Sequence, residues 1–573
     1  MPNYKETYLV DRIRDAVTSA YRAVRSEPLA ADVQVRATDR PDFGDYATNI
    51  ALLEAKAAGV PPRQLAEELA EALRSQANPE DLPRIDVAGP GFINLFVSPH
   101  LIQGVLTRIL ADGDAYGRWA IGAASRTQLE FVSSNPTGPL TVGHGRQAVL
   151  GDVLATLFEW LGHDVHREYY FNDEGRQIEL LTDSAAERVL EAAFGIEPDI
   201  PEDGYAGEYL KRIAEEIATA SEPVANAIDA LRREGETRIS RDGLYEHLDP
   251  TKLRHEATQR IITSIKEDLA LLGVRFDTWF SEATLHRSGA VEGALDALRA
   301  RDAVYEKDGA QWLRAERHGG AKDSVLIRTD GRPTYLMVDI AYHIDKLARS
   351  FERVIDVQGA DHHAEQTCVL AAMRILGHPE EWLSYASHQF VSLKEGGETL
   401  KMSTRAGRFV TLRQLIDELG KDIVRWFMIS RKPEAHLDFD LDLARAESQD
   451  NPATYVQYAH TRIASIFRKA DVTDRAWADV DLSPLVESEE LELIKELDRF
   501  PDVIRSAAEG FAPHLLAEYA LGLSRFFHAY YDKHRVLTDD EPRTLARLAL
   551  LRALQTVLRN TLRILGMETP EVM

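Results

Sequence analysis

The chain has 573 residues, 44% hydrophobic and 28% charged, an ordinary globular composition with length for about three or four domains. One cysteine excludes an internal disulfide and a cysteine-built zinc site, and it points to a reducing, cytoplasmic compartment. The net charge of −26 argues against a nucleic-acid partner for the molecule as a whole, though not against a local basic track that alone meets phosphates.

The N-terminus, MPNYKETYLVDRIRD, has no basic stretch leading into an apolar one. No run approaches about 18 consecutive apolar residues, so neither a signal peptide nor a membrane span is expected. Residues 1–110 read as a small α+β unit, with helices over Tyr8–Val24 and Pro62–Leu73 and a polar loop at Arg40–Asn49 between them. The alternation Ile93, Leu95, Val97 predicts a strand after a Gly-Pro-Gly turn, and 112–125 reads as a linker.

From there to about 430 the pattern is that of a parallel α/β nucleotide fold. Gln128–Ser134 is a predicted strand, 135–146 a Pro/Gly loop, Gln147–Leu161 a helix stopped by Gly162, and His166–Phe171 a second strand. Residues 191–320, charged and mostly helical, read as an insertion. Strands then resume at Val325–Arg328, Val354–Val357 and His388–Leu393, with helices at Tyr335–Ser350 and Ala364–Leu376. Cys368 sits in an apolar run and reads as core packing, against the alternative of a catalytic nucleophile. Beyond about 415 only helices are predicted, with heptad-like stretches at Leu515–Phe527 and Ala546–Leu565.

The loop PTGPLTVGHGR (136–146) lies between a strand and a helix start, where free N–H groups and the helix dipole attract phosphate. Gly143 leaves room for an adenine ring, and His144 can donate to a phosphate oxygen. For His144 taken alone, a structural histidine in a capped loop is equally open. The surrounding sequence, LEFVSSNPTGPLTVGHGRQAVLGDVLATLFEWLGHDVHREYYFNDEGRQI (129–178), resembles the HIGH region of class I aminoacyl-tRNA synthetases, in the version of the arginyl-tRNA synthetase family. The resemblance continues in GVRFDTWFSE (273–282), TYLMVDIAYHIDK (334–346), GADHH (359–363), KMSTRAGRFVTL (401–412) and DNPATYVQYAHTRI (450–463). GDYATN (44–49) and VAGPGFIN (87–94) match that family's extra N-terminal domain. HIGH alone marks the class; the N-terminal domain and the DNPATYVQYAH block point to arginine.

The resemblance implies a multidomain α/β protein. It has an N-terminal tRNA-recognition domain (1–110), a Rossmann-type catalytic domain (120–430, insertion at about 191–320) and an all-α anticodon-binding bundle (440–573). It implies ATP-dependent activation of L-arginine and its transfer to tRNA(Arg), with Mg²⁺ as the counter-ion of ATP, no zinc, a monomeric state and activation that waits for bound tRNA. The catalytic set it implies is Thr141, His144, Lys401 and Arg405. The ATP set is Pro136, Gly138, Gly143, His144, Gly145, Asp361, His362, Met402 and Ser403. Glu130, Asn135, Glu282, Tyr335 and Asp339 would hold arginine, and Tyr455, Gln457, Tyr458, His460 and Arg462 would hold unpaired tRNA bases.

The residue types fit these roles. In-line attack on the α-phosphorus needs no protein nucleophile, only positioning and neutralisation of growing charge. A guanidinium wants carboxylates and an aromatic face, and Tyr335 and Asp339 share a helix face at i, i+4. Asp361, His362 and His363 could be read as metal ligands, but adjacent histidines rarely face one ion, and adenosine or ribose contact is the reading the resemblance favours. Two departures stand out: Thr141 replaces the first histidine of the signature, and Thr404 replaces the second lysine of the KMSKS loop. They keep open a non-catalytic tRNA-binding relative; another nucleotidyltransferase on the same fold fits the helical C-terminus poorly.

Overall fold

In Arg126–Glu130 every residue from Thr127 on is buried, the pattern of a strand covered on both faces. The computed structural model, which describes residues 8–38, 41–123, 125–235, 239–400, 410–472, 476–477 and 479–573, places it at the centre of a five-stranded parallel sheet. The strands are β1 (Arg126–Glu130), β2 (Asp164–Phe171), β3 (Thr278–Ser281), β4 (Arg353–Gly359) and β5 (Leu383–His388), in the order β5-β4-β1-β2-β3. Helix α1 (Val142–Trp160) follows β1, α2 (Tyr335–Ala348) precedes β4, and α3 (His363–Ile375) follows it. The chain builds outward from β1 to β3, then returns to the other side of β1 for β4 and β5. The reversal between β1 and β4 opens a crevice beyond their carboxyl ends, the usual ligand position in such sheets.

Several boundaries differ from those expected. β1 stops at Glu130 because Val132 and Ser133 take left-handed φ values of 69° and 40°, which turns the chain sharply out of the sheet. α1 begins five residues earlier than Gln147, so Gly143, His144 and Gly145 lie in its first turn. A Cβ on Gly151 would come within 2.1 Å of the Phe131 ring, so glycine there lets α1 lie against the chain leaving β1. The predicted insertion is broken: after the helices of 208–271, β3 returns to the main sheet before the chain leaves again. Ser324–Ile327 does not resume that sheet; it pairs antiparallel with Ala310–Leu313 in a three-stranded side sheet. The predicted strand His388–Leu393 is two strands, since β5 ends at His388 and Val391–Glu395 pairs with Leu437–Asp440. That last strand also breaks the expected run of helices after 415.

By packing, the chain forms two compact units, Ala124–Glu159 with His163–Ala446, and Met1–Ala123 with Trp160–Gly162 and Glu447–Met573. The second contains an antiparallel four-stranded sheet, Val35–Ala37, Tyr46–Thr48, Phe92–Phe96 and Arg84–Ala88 in spatial order, with helices Leu9–Val24 and Pro62–Gln76. Part of the expected polar loop at 40–49 is therefore strand. The expected linker at 112–125 is packed, with Tyr116 and Trp119 buried. The helices Pro452–Ala470, Ser488–Asp498, Phe500–Glu509, His514–Lys533 and Glu541–Ile564 complete the unit.

Candidate active site

The loop leaving β1 crosses the carboxyl ends of the sheet and enters α1 at Thr141. The Thr141 backbone N–H donates to Nδ1 of His144 at 3.1 Å, and the Thr141 hydroxyl lies 3.3 Å from the same nitrogen. A nitrogen that accepts from an amide carries no proton, so the neutral ring has its hydrogen on Nε2. Burial, with His388 nearby, pulls the His144 pKa down to about 4. Its first turn thus offers an uncharged donor. The Leu412 N–H donates to the Leu140 carbonyl at 2.8 Å, and Thr141 bridges to Thr411, so α1 is stitched to the segment following 401–409. Lys401, Met402, Ser403, Thr404 and Arg405 lie outside the described residues. Pro136 is buried, and Gly138 packs against Tyr209, whose hydroxyl donates to the Thr137 carbonyl at 2.5 Å and clamps the loop.

Across the crevice, the turn after β4 carries Asp361 and His362, both about half exposed. The His362 pKa is raised by its contact with Glu365, against the effect of burial. His388 ends β5 opposite Gly359; its Nδ1 lies 3.2 Å from the Gln389 carbonyl, and burial lowers its pKa. His388 Nε2 is buried with no hydrogen-bond partner among the described residues. Among those residues no group of three or more His, Cys, Asp or Glu is placed to hold a metal ion.

Another side of the crevice is acidic. Glu130 ends β1, buried, with Lys346 Nζ donating to it at 2.6 Å and the Ser133 hydroxyl at 2.8 Å. Burial pushes its pKa up to about 6. Asp339 lies one turn along α2 from Tyr335, which is 59% exposed at the helix start. Glu282 is buried, accepts from the Tyr170 hydroxyl and sits 3.5 Å from His286; burial raises its pKa too. Tyr170 ties these residues together: burial first, then the charges of Glu282, Asp339 and Glu130, drive its own pKa far up. The three carboxylates, distant in sequence, thus all act on one phenol, which donates to Glu282. Asn135 Nδ2 donates to Gln177 at 2.8 Å at the mouth of the same loop. Tyr385, paired with Asp356 across β4 and β5, has a buried hydroxyl with no partner among the described residues. Tyr170, Tyr209, Tyr385 and His388 were not singled out from sequence. Tyr170, Tyr385 and His388 lie in strands, where aromatics look like core, and Tyr209 lies on the separate helix Glu208–Ala220.

In the other unit, Tyr455 and Tyr458 on the helix Pro452–Ala470 flank His528, ring centroids 5.0 and 5.9 Å away. The Arg462 guanidinium lies 4.6 Å from the ring centre of Tyr531. These form an aromatic and cationic face, of which His528 and Tyr531 were not anticipated. Gln457 and His460 point elsewhere: both are buried and hydrogen-bonded at 3.0 Å to the carbonyls of Glu568 and Pro570. Their helix face packs on the C-terminal tail, which corrects the expectation that they meet unpaired bases.

Residues 105–432 match the family profile of the class I tRNA synthetase (R) catalytic domain, 8–97 that of the arginyl-tRNA synthetase N-terminal domain, and 456–573 that of the DALR anticodon-binding domain. With the parallel sheet and the loop at its switch point, they define a class I aminoacyl-tRNA synthetase, an ATP-using enzyme. The arginine–tRNA ligase of Thioalkalivibrio sulfidiphilus is 41% identical, covering 98% of this chain and 100% of its own. That of Thermotoga maritima is 40% identical over 99% and 100%. The solved structure of Thermus thermophilus arginyl-tRNA synthetase shares the fold, with a TM-score of 0.77, 24% identity and coverage of 99% and 100%. The chain belongs to the arginyl-tRNA synthetase family. Among the described residues no helix is long and apolar enough to cross a membrane.

Proposed function

We propose that the crevice beyond β1 and β4 is where the arginine–tRNA ligase reaction takes place. The α-carboxylate of L-arginine attacks the α-phosphorus of ATP, pyrophosphate leaves, and arginyl-adenylate forms. A ribose hydroxyl of the tRNA 3′-terminal adenosine then attacks the acyl carbon and displaces AMP. Asp339 and Glu282, with the Tyr335 ring, take the guanidinium, while Glu130 and Asn135 take the α-groups. His144, through Nε2, and the loop around Pro136, Gly138, Gly143 and Gly145 meet the nucleotide, with Asp361 and His362 toward the ribose. By resemblance Lys401, Met402, Ser403 and Arg405 close over the phosphates, and Thr141 holds His144. ATP enters as its Mg²⁺ complex, the ion held by the phosphates. Residues 1–110 serve tRNA recognition, 120–430 catalysis, with the excursions before and after β3 inserted into its sheet, and 440–573 the anticodon, through Tyr455, Tyr458 and Arg462. The enzyme works as a cytoplasmic monomer.

The observation that carries this reading is the acidic set at the switch point of the sheet: Glu130 at the end of β1, Asp339 on α2, and Glu282 accepting from the Tyr170 hydroxyl. Its test is Asp339→Asn in steady-state aminoacylation. A buried guanidinium stripped of its charged partner loses about 2–5 kcal/mol, so the arginine KM rises at least about 30-fold while the ATP KM holds. An unchanged arginine KM overturns the pocket.

A further inference from the structure

Behind the crevice, Glu130 and Asp339 are joined through three buried charged side chains, Lys346, Asp356 and His343, to which no role has been given above. Lys346 Nζ donates to Glu130 Oε2 at 2.6 Å and to Asp356 Oδ1 at 2.8 Å. His343 Nε2 lies 2.8 Å from the other oxygen of Asp356. His343 Nδ1 lies 2.8 Å from the Asp339 carbonyl oxygen and 3.2 Å from Asp339 Oδ1. Each ring nitrogen therefore faces only oxygen acceptors, both donate, and the ring is an imidazolium. Burial and the Lys346 charge pull its pKa down, but Asp339 and Asp356 outweigh them and hold it up at about 10. The sequence reads, in space, Glu130–Lys346–Asp356–His343–Asp339.

The burial of its members divides them. The side chains of Lys346, His343 and Asp356 are 0–1% exposed, whereas Glu130 is 10% and Asp339 25% exposed. Only the two terminal carboxylates reach the crevice, and three carboxylates share two cations, leaving one negative charge over. The strand register adds rigidity, since Glu130 and Asp356 are directly paired across β1 and β4. His343 and Lys346 are fixed by α2, one turn apart. A buried, fully partnered ionic chain has little freedom to change its span.

We propose that His343 and Lys346 are positioning residues that fix the separation of the two cation-binding carboxylates, so that the pocket measures the length of its amino-acid substrate between α-ammonium and guanidinium. This rests on the arginine pocket assigned above. The ligand class it selects is an α-amino acid bearing a guanidinium at the end of three methylenes. A guanidino acid one methylene longer meets the same groups at the wrong spacing.

The test compares L-arginine with L-homoarginine in aminoacylation by wild type, His343→Gln, Lys346→Met, Lys346→Arg and Asp339→Asn. One methylene in a well-fitted pocket is worth about 10–200-fold, so the wild type prefers arginine by that order. In His343→Gln and Lys346→Met we expect the arginine KM to rise about tenfold or more, with kcat and ATP KM nearly unchanged, and the preference over homoarginine to collapse toward unity. Lys346→Arg keeps the charge and both acceptors and retains most of the preference. A purely structural role lowers kcat for both substrates in parallel and leaves their ratio at the wild-type value, which overturns the proposal. Should His343→Gln fail to fold, equal ratios in Lys346→Met and Lys346→Arg overturn it. An unchanged arginine KM in Asp339→Asn is instead the failure of the pocket itself.

Discussion

His144 is the donor at the start of α1, and its charge state follows from one hydrogen bond. The Thr141 amide occupies Nδ1, which leaves Nε2–H as the ring's donor, for the nucleotide on the reading proposed above. Removing one transition-state donor typically costs about 100-fold or more, and we expect that fall in single-turnover aminoacylation for His144→Ala. Thr141→Ala keeps the backbone N–H and loses only a neutral hydroxyl contribution of about 0.5–1.5 kcal/mol, so it does less harm. Thr141→His is neutral or mildly activating. Equal damage from Thr141→Ala and His144→Ala overturns this division. Because the His144 pKa lies at about 4, the ring stays neutral as pH rises from about 5.5 to 8. A single-turnover rate that rises across that range with an ordinary histidine midpoint, and loses that rise in His144→Ala, overturns the neutral-donor assignment. The residue types at the crevice were legible because the loop and the carboxylates stand in long matching segments. The neutrality of His144 was not legible, since nothing in the sequence shows which ring nitrogen an amide will occupy.

Elements were legible where one period runs unbroken, as over Leu9–Val24 and in the long helix Glu541–Ile564, and misread where glycine or brevity breaks the pattern. Gly143 and Gly145 made the first turn of α1 look like loop. Gly145 also serves packing, since a Cβ there would come 2.8 Å from Leu412 Cδ1 and make that side chain shift. The strand Tyr46–Thr48 was hidden in a polar stretch because three residues carry too little alternation. That strand supports a test of its own. The Tyr46 hydroxyl donates to Asp498 at 3.1 Å, and burial pushes the Asp498 pKa from 3.8 up to about 7. A carboxyl whose folded pKa is raised binds its proton more tightly when folded. The stability it contributes is present below pH 4 and lost as pH climbs through about 7. The Tyr46 hydrogen bond opposes that loss, because it favours the ionised form. Hydrogen bonds to charged groups are worth about 1.5–3 kcal/mol against about 0.5–1.5 for neutral ones. Tyr46→Phe should therefore lower the unfolding temperature more at pH 8.5 than at pH 5.5. Equal losses at the two pH values mean that Asp498 does not titrate between them.

A chain with a net charge of −26 that must hold a polyanion sets the problem at the scale of the whole molecule. Phosphate contacts alone would give steep salt dependence, about 0.7–0.9 units of log affinity per decade of salt for each phosphate neutralised. The face of Tyr455, Tyr458, His528, Tyr531 and Arg462 offers another source of affinity, since base stacking is worth about 1–3 kcal/mol per base and is insensitive to salt. We therefore expect the tRNA KM to rise only shallowly with salt. Tyr458→Ala should shift that line upward without changing its slope. Arg462→Ala should lower the slope by about one unit if the guanidinium meets a phosphate, and leave it alone if Arg462 serves to hold the ring of Tyr531. The same charge argument reaches the crevice. With His144 neutral and threonine at 141, the first turn of α1 brings no side-chain cation to the phosphates of ATP. ATP–pyrophosphate exchange with arginine should then stay near background until tRNA is added and rise strongly with it. Exchange at equal rates with and without tRNA shows that the crevice is complete by itself, and a steep salt slope that Tyr458→Ala leaves in place shows that phosphates, not stacked bases, carry the binding.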